Sequence, residues 1–191
     1  MDNVAAKAAI HAITELMEVH RDDLIELDSA IGDGDLGLTM NKAFSSADQD
    51  LADLDESDVG KLFCRAGAVM ARNAPSTMGT LVGTGFMRGG KAVSGKARLE
   101  PSDIGCFFRA FADGIAERGK CKPGEKTILD VIEPAATAME VPQTNFAVLA
   151  ESGIRAARAA LEATKEMTAQ HGKAAVFREK SIGVQDAGAT A

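Results

Sequence analysis

Three aspartates, Asp28, Asp33 and Asp35, fall within one short stretch, Leu27-Asp28-Ser29-Ala30-Ile31-Gly32-Asp33-Gly34-Asp35, and are interleaved with Gly32, Gly34 and Gly37. Glycine tolerates positive φ, so the backbone can fold back and bring carboxylates five and seven positions apart to one point. Three bare carboxylates at one point repel each other. They suit hard cations such as Mg²⁺, which takes oxygen ligands and leaves coordination positions for phosphate oxygens. Three carboxylates and an ATP together carry about seven negative charges, which two Mg²⁺ ions would cut to about three. The alternative on these residues alone is that the acids cap the helix that follows, since aspartate near a helix N-terminus complements the dipole.

Other phosphate- and metal-binding patterns come close and fail. Gly32, Gly34 and Gly37 match the spacing of a dinucleotide loop, but no strand precedes them, and Asp33 and Asp35 would face a pyrophosphate unshielded. A calcium loop starting at Asp33 meets Gly37 where an oxygen ligand is needed and Phe44 where a glutamate is needed. Gly85 to Lys91 approaches a phosphate loop, but Ala92 stands where a hydroxyl must hold the metal. Ser76-Thr77-Met78-Gly79-Thr80 offers hydroxyls and N–H groups at a helix start, where an anion or an ordinary capped turn would both fit. Lys120, Lys122 and Lys126 around Pro123-Gly124 either attract phosphate or solvate a loop. His11, His20 and His171 lack a partner at triad-like spacing and read as surface residues.

The elements that position these residues are helices. The chain has 191 residues, 46% hydrophobic, with 8 Phe and no Trp or Tyr, enough for one aliphatic-cored domain spanning 1–191. Apolar positions from Val4 to about Leu27 keep a helical period, through Ile10, Ile13, Met17 and Leu24. Further helices are expected over Thr39 to Leu51, from a cap at Ser57 or Asp58 to Arg72, through Leu81 to Met87, over Ile104 to Glu117 with Pro101 before it and Gly119 past its end, from a Thr127 cap to Met139, and from Thr144 to about Met167. The stretch from His171 to Ala191 reads as an ordered loop. A net charge of -7 leaves no basic surface for nucleic acid. No run of 18 apolar residues or basic leader is present, so no membrane span is expected. Cys64, Cys106 and Cys121 are too few and too scattered for a disulfide framework, which points to a reducing cytoplasm.

Taken in order, three blocks resemble the nucleotide-binding L subunits of dihydroxyacetone kinases: Leu27 to Asn41, Arg118-Gly119-Lys120 with Pro123-Gly124-Glu125-Lys126-Thr127, and Glu179-Lys180-Ser181-Ile182-Gly183 with Asp186-Ala187-Gly188-Ala189-Thr190. The resemblance covers essentially the whole chain. It implies an all-α fold, an antiparallel up-and-down barrel of about eight helices with the nucleotide site in the loops at one end. One further helix would follow Ala191, and without it the barrel would stand open.

For the site, the resemblance implies two Mg²⁺ on Asp28, Asp33 and Asp35, and bound ADP or ATP. Leu36, Gly37, Leu38 and Thr39 and the turn at Thr77 and Met78 would contact phosphates, Gly119 and Ile128 would lie by the adenine, and Lys173, Asp186, Ala187 and Gly188 would close the site. A K-type sugar-binding subunit would hold the ketose, and a phosphotransferase-system protein would recharge ADP in the bacterial type. Several positions depart from the family: Leu36 stands where histidine is common, Ser76-Thr77-Met78-Gly79 replaces Gly-Ala-Ser-Gly, Lys173 replaces an arginine, and Asp186-Ala187-Gly188 replaces Asp-Pro-Gly. The metal ligands are intact, so the expected activity is phosphoryl transfer to an alcohol by positioning and charge neutralisation, with no covalent nucleophile. Two alternatives accompany it: an ATP-dependent kinase subunit for another ketose such as a tetrulose, and a non-catalytic nucleotide-binding regulator.

Overall fold

A computed structural model describes residues 1–191 and contains helices and turns, with a single isolated backbone bridge, Asp2 to Arg98, in place of any sheet. The helices are α1 (Asn3–Val19), α2 (Arg21–Ile31), α3 (Leu36–Ala52), α4 (Val59–Asn73), α5 (Thr77–Ala92), α6 (Pro101–Gly119), α7 (Leu129–Glu140), α8 (Phe146–Ala163) and the short α9 (Ala187–Thr190). Two 3₁₀ segments, Thr164–Glu166 and Ala174–Ser181, lie between α8 and α9.

The expected first helix is two. His20 leaves the helical conformation, and its own N–H still bonds back to Leu16 while its carbonyl accepts from Leu24, so α2 restarts one residue later with the same apolar face. Other boundaries move for identifiable reasons. α3 starts at Leu36 and not Thr39, with Asp35 as its N-cap residue. Asp58, rather than Ser57, caps α4 by accepting from the Lys61 N–H. α6 incorporates Pro101 as its first residue and runs through Gly119, because Lys120 takes the left-handed cap conformation expected of the glycine. α7 begins at Leu129, two residues past the expected Thr127 cap. Asn145 caps α8, which ends at Ala163, earlier than the expected Met167. The C-terminal loop contains the second 3₁₀ segment and α9.

Sequence-adjacent helices from α3 to α8 pack side by side and antiparallel, with α1 and α2 against α3, giving the up-and-down barrel arrangement. α8 packs on α7, and α9 bridges α2 and α7. The α4/α5 contact is the tightest, because glycines on both helices let the backbones touch: a Cβ on Gly67 would sit 2.4 Å from the Gly83 carbonyl. That pairing explains why the glycine-rich stretch Leu81 to Met87 is helical with no partner strand. Inside, Phe86 meets Phe44, Phe63, Phe107 and Phe111 with ring centroids 5.4 to 6.2 Å away. An almost wholly apolar cavity of about 410 Å³ runs beside these rings and reaches Gly188 and Ala189 of α9.

Candidate functional site

Alternation of helix direction puts four connections at one end of the barrel: 32–35 between α2 and α3, 74–76 between α4 and α5, 120–128 between α6 and α7, and the segment that follows α8. Every candidate residue read from the sequence lies on one of these connections or on the helix turn next to it.

Asp28 lies in the last turn of α2, and Asp33 and Asp35 lie in the connection to α3. Their carboxylate oxygens come within 4.8 Å of one another. Two glycines make this possible. Gly34 has φ +72°, and a Cβ on Gly32 would sit 2.1 Å from Asp28 Oδ1 and 2.6 Å from its carbonyl. The capping alternative also holds in part: Asp28 Oδ2 accepts from the N–H groups of Asp35 at 3.1 Å and Leu36 at 3.4 Å. One Asp28 oxygen therefore serves the start of α3, and the other, Oδ1, lies against Gly32. Asp33 and Asp35 are exposed, an arrangement suited to metal ligands that also meet a dissolved phosphate.

A hard-cation donor set fits this cluster, since three convergent carboxylates face a single side-chain cation, Lys173, which is paired with Asp33. Beside them the first turn of α3 carries Leu36, Gly37, Leu38 and Thr39. Leu36 and Gly37 are buried, and the Leu36 N–H is turned toward Asp28. Leu38 is exposed and Thr39 partly so.

Thr77 and Met78 open α5, whose N-cap Ser76 accepts from Gly79 at 3.0 Å. The structure joins this turn to the C-terminal segment: a Cβ on Gly188 would lie 3.2 Å from Met78 Sδ. Gly119 approaches Leu81 of α5, and Ile128 is buried and lines the apolar cavity. Asp186 is buried and caps α9 through the Ala189 N–H at 2.7 Å, with Ala187 buried behind it. Burial pushes the Asp186 carboxyl up to about 6, helped by the negative charges of Asp130 and Asp28 and opposed by the Ala189 hydrogen bond and by Lys126.

Two residues behave differently from their sequence reading. Lys126 is neither a phosphate-attracting nor a solvated loop lysine; it is buried, with its ammonium among backbone carbonyls. His171 is only half-exposed, and its Nε2 lies 2.6 Å from Glu125 Oε2. Nothing in the local sequence marks either one, because the partners lie 41 to 58 positions away.

Comparison with known proteins identifies the family. The DAK2 domain model matches residues 30–191. The ADP-binding subunit DhaL of the PEP-dependent dihydroxyacetone kinase of Escherichia coli is 33% identical over 179 residues, covering 92% of this chain and 85% of that protein. The L-erythrulose kinase of Pectobacterium atrosepticum is 28% identical over 97% of this chain, which spans only 33% of that longer protein. The crystal structure of the C. freundii dihydroxyacetone kinase in complex with AMP-PNP and Mg²⁺ matches all of this chain with 32% of its own, at a TM-score of 0.76 and 22% identity, a likeness of fold. The chain is a member of the DAK2 domain family, to which the family match over residues 30–191 and its likeness to a bacterial ADP-binding kinase subunit assign it.

Proposed function

We propose that this chain is the nucleotide-holding subunit of a dihydroxyacetone-type kinase, binding ADP or ATP with two Mg²⁺ and passing a phosphoryl group to a hydroxyl of a small ketose carried by a separate K-type subunit. The observation that carries this reading is the convergence of Asp28, Asp33 and Asp35 at the end of the barrel where the α3 and α5 N-termini open.

Bound there, Mg²⁺ would supply electrophilic neutralisation of phosphate charge. The chain's own residues do the positioning. Asp28 is fixed by the two α3 N–H groups it accepts from, so its free oxygen has a defined direction. The first turns of α3 and α5 present unpaired N–H groups and positive dipole ends to an anion. Gly119 and Ile128 would lie by the adenine, and Gly188, which approaches Met78, would help close the site. No nucleophilic side chain is needed, since transfer to an acceptor held in line depends on orientation and charge.

The ADP-binding names of the bacterial relatives favour a donor of the phosphotransferase-system type, recharging bound ADP in the cytoplasm. The erythrulose kinases among the relatives favour the second reading, direct use of ATP on a tetrulose. Mixing the chain with a K-type subunit, ketose and ATP alone separates them, because only the second reading gives turnover. A purely regulatory nucleotide-binding protein would have no use for three intact metal ligands. Titration of ADP against Asp33→Asn with and without Mg²⁺ tests the core: affinity should fall by at least tenfold and lose most of its metal dependence, and an unchanged, metal-independent affinity would sink the proposal.

A further inference from the structure

Five polar or charged residues are buried in this protein, Lys126, Asp130, Thr164, Ser181 and Asp186, and all five belong to one cluster at the nucleotide end of the barrel. The rest of the core is apolar. Asp130 accepts from the N–H groups of Gly124 and Thr127, which shapes the 120–128 connection. Thr164 Oγ1 accepts from the Asp186 N–H at 3.1 Å, and Ser181 Oγ accepts from the Ala169 N–H at 2.9 Å. At the centre, the Lys126 ammonium donates to the carbonyls of Ser181 and Val184, each at 2.6 Å, and of Met167 at 3.2 Å.

Lys126 is the only buried cation, and its backbone is left-handed, with φ 59°. A lysine is disfavoured in that conformation, where glycine would be at ease, so it is the side chain that the position requires. An ammonium with three donors aimed at three carbonyls is satisfied when buried, whereas three orphaned carbonyls would not be. The carbonyls come from both strands of the C-terminal excursion, Met167 on the outgoing side and Ser181 and Val184 on the return. A further bond from Gly183 N–H to the Lys165 carbonyl, at 2.7 Å, closes the same neck. Beyond it the tip, from Gly172 to Lys180, is largely exposed, and its side-chain hydrogen bond to the rest of the barrel runs from Lys173 to Asp33.

The geometry points to Lys126 as a positioning residue: one buried ammonium pins the neck of the C-terminal segment and so sets where Lys173 and Asp186 stand relative to the aspartate loop. Its ammonium is spent on these three carbonyls rather than on the aspartate cluster. It acts through the backbone carbonyls of Met167, Ser181 and Val184. Burial draws the ammonium below the usual lysine range while the nearby Asp186 charge draws it back up, in keeping with a charge held inside by its partners. The inference rests on the nucleotide-site reading for its consequence, while the pinning itself can be tested without any ligand.

The test compares the full chain with Lys126→Met, which keeps length and removes every donor. Amide hydrogen exchange without ligand should speed up at least tenfold in peptides covering 165–186, with α3 to α6 unchanged. ADP affinity with Mg²⁺ present should fall at least tenfold, while the number of Mn²⁺ ions bound per chain, counted by electron paramagnetic resonance, stays the same. If Lys126→Met does not fold, Lys126→Gln, which keeps two donors and no charge, replaces it and should show the same pattern to a smaller degree. Unchanged protection of 165–186, or loss spread evenly over all helices, overturns the inference. Failure of the unaltered chain to bind ADP would overturn the function proposed above and leave the exchange comparison to judge Lys126 by itself.

Discussion

Lys173 and Asp33 are joined by an ion pair across 140 positions of sequence, so the segment after α8 supplies positive charge directly to the aspartate cluster. Any cation entering that cluster competes with this ammonium. Lys173→Met should therefore bind Mn²⁺ more tightly in the absence of nucleotide, by up to about fivefold at low ionic strength, the scale of an exposed ion pair. ADP affinity should fall in the same variant, because the phosphates lose a donor. Paramagnetic titration of Mn²⁺ with and without ADP reads both effects, and opposite signs are the expected result.

Gly32 is where the loop leaves no room. An alanine there would place its Cβ 2.1 Å from Asp28 Oδ1 and 2.6 Å from a main-chain oxygen that cannot step aside. Gly32→Ala should abolish high-affinity Mn²⁺ binding while circular dichroism retains the helical signal.

Asp186 holds its proton more tightly folded than unfolded, at about 6 against the ordinary aspartate value of 3.8. Its contribution to stability is then fully present below pH 4 and is lost as pH rises through 6, amounting to on the order of 3 kcal/mol. Asp186→Asn removes that loss. Urea unfolding should show the variant more stable than the parent by about 1–3 kcal/mol at pH 7.5, with the difference shrinking by pH 4.5. Nucleotide affinity should weaken, which would identify Asp186 as a residue kept for the site at some expense of stability.

Phe86 contacts four other rings at the middle of the barrel, beside a cavity already present. Phe86→Ala enlarges that space, and the surrounding helices are too tightly paired to collapse into it. A loss of about 3–5 kcal/mol in chemical unfolding is expected, with Mn²⁺ stoichiometry preserved in the folded fraction.

Much of this architecture is written in local patterns. The aspartates and glycines of residues 28–37 are close in sequence, so residue type alone limits what the turn can do. Helix period and caps such as Asp58 and Asn145 are equally local. The break at His20 left no trace because α2 resumes the apolar face of α1 one residue later. Gly119 misled because the left-handed cap fell to Lys120, a residue that propensity does not select for it. Lys126 was illegible for a deeper reason: its partners are main-chain carbonyls, which every residue has, on a segment 41 to 58 positions ahead. The likeness of ordered blocks supplied what periodicity could not, since it linked loops that meet only in three dimensions.

Antiparallel packing gives the molecule a working end and a handle. All four site connections lie at one pole, while the turns at 53–58, 93–100 and 141–145 lie at the other, together with the Met1 amine, bonded to the Leu99 carbonyl at 2.7 Å. A fluorophore, an affinity tag or a surface tether placed at 141–145 would sit a full helix length from the chemistry. The barrel thereby offers an attachment point from which nucleotide exchange could be followed on an immobilised molecule without crowding the aspartate loop.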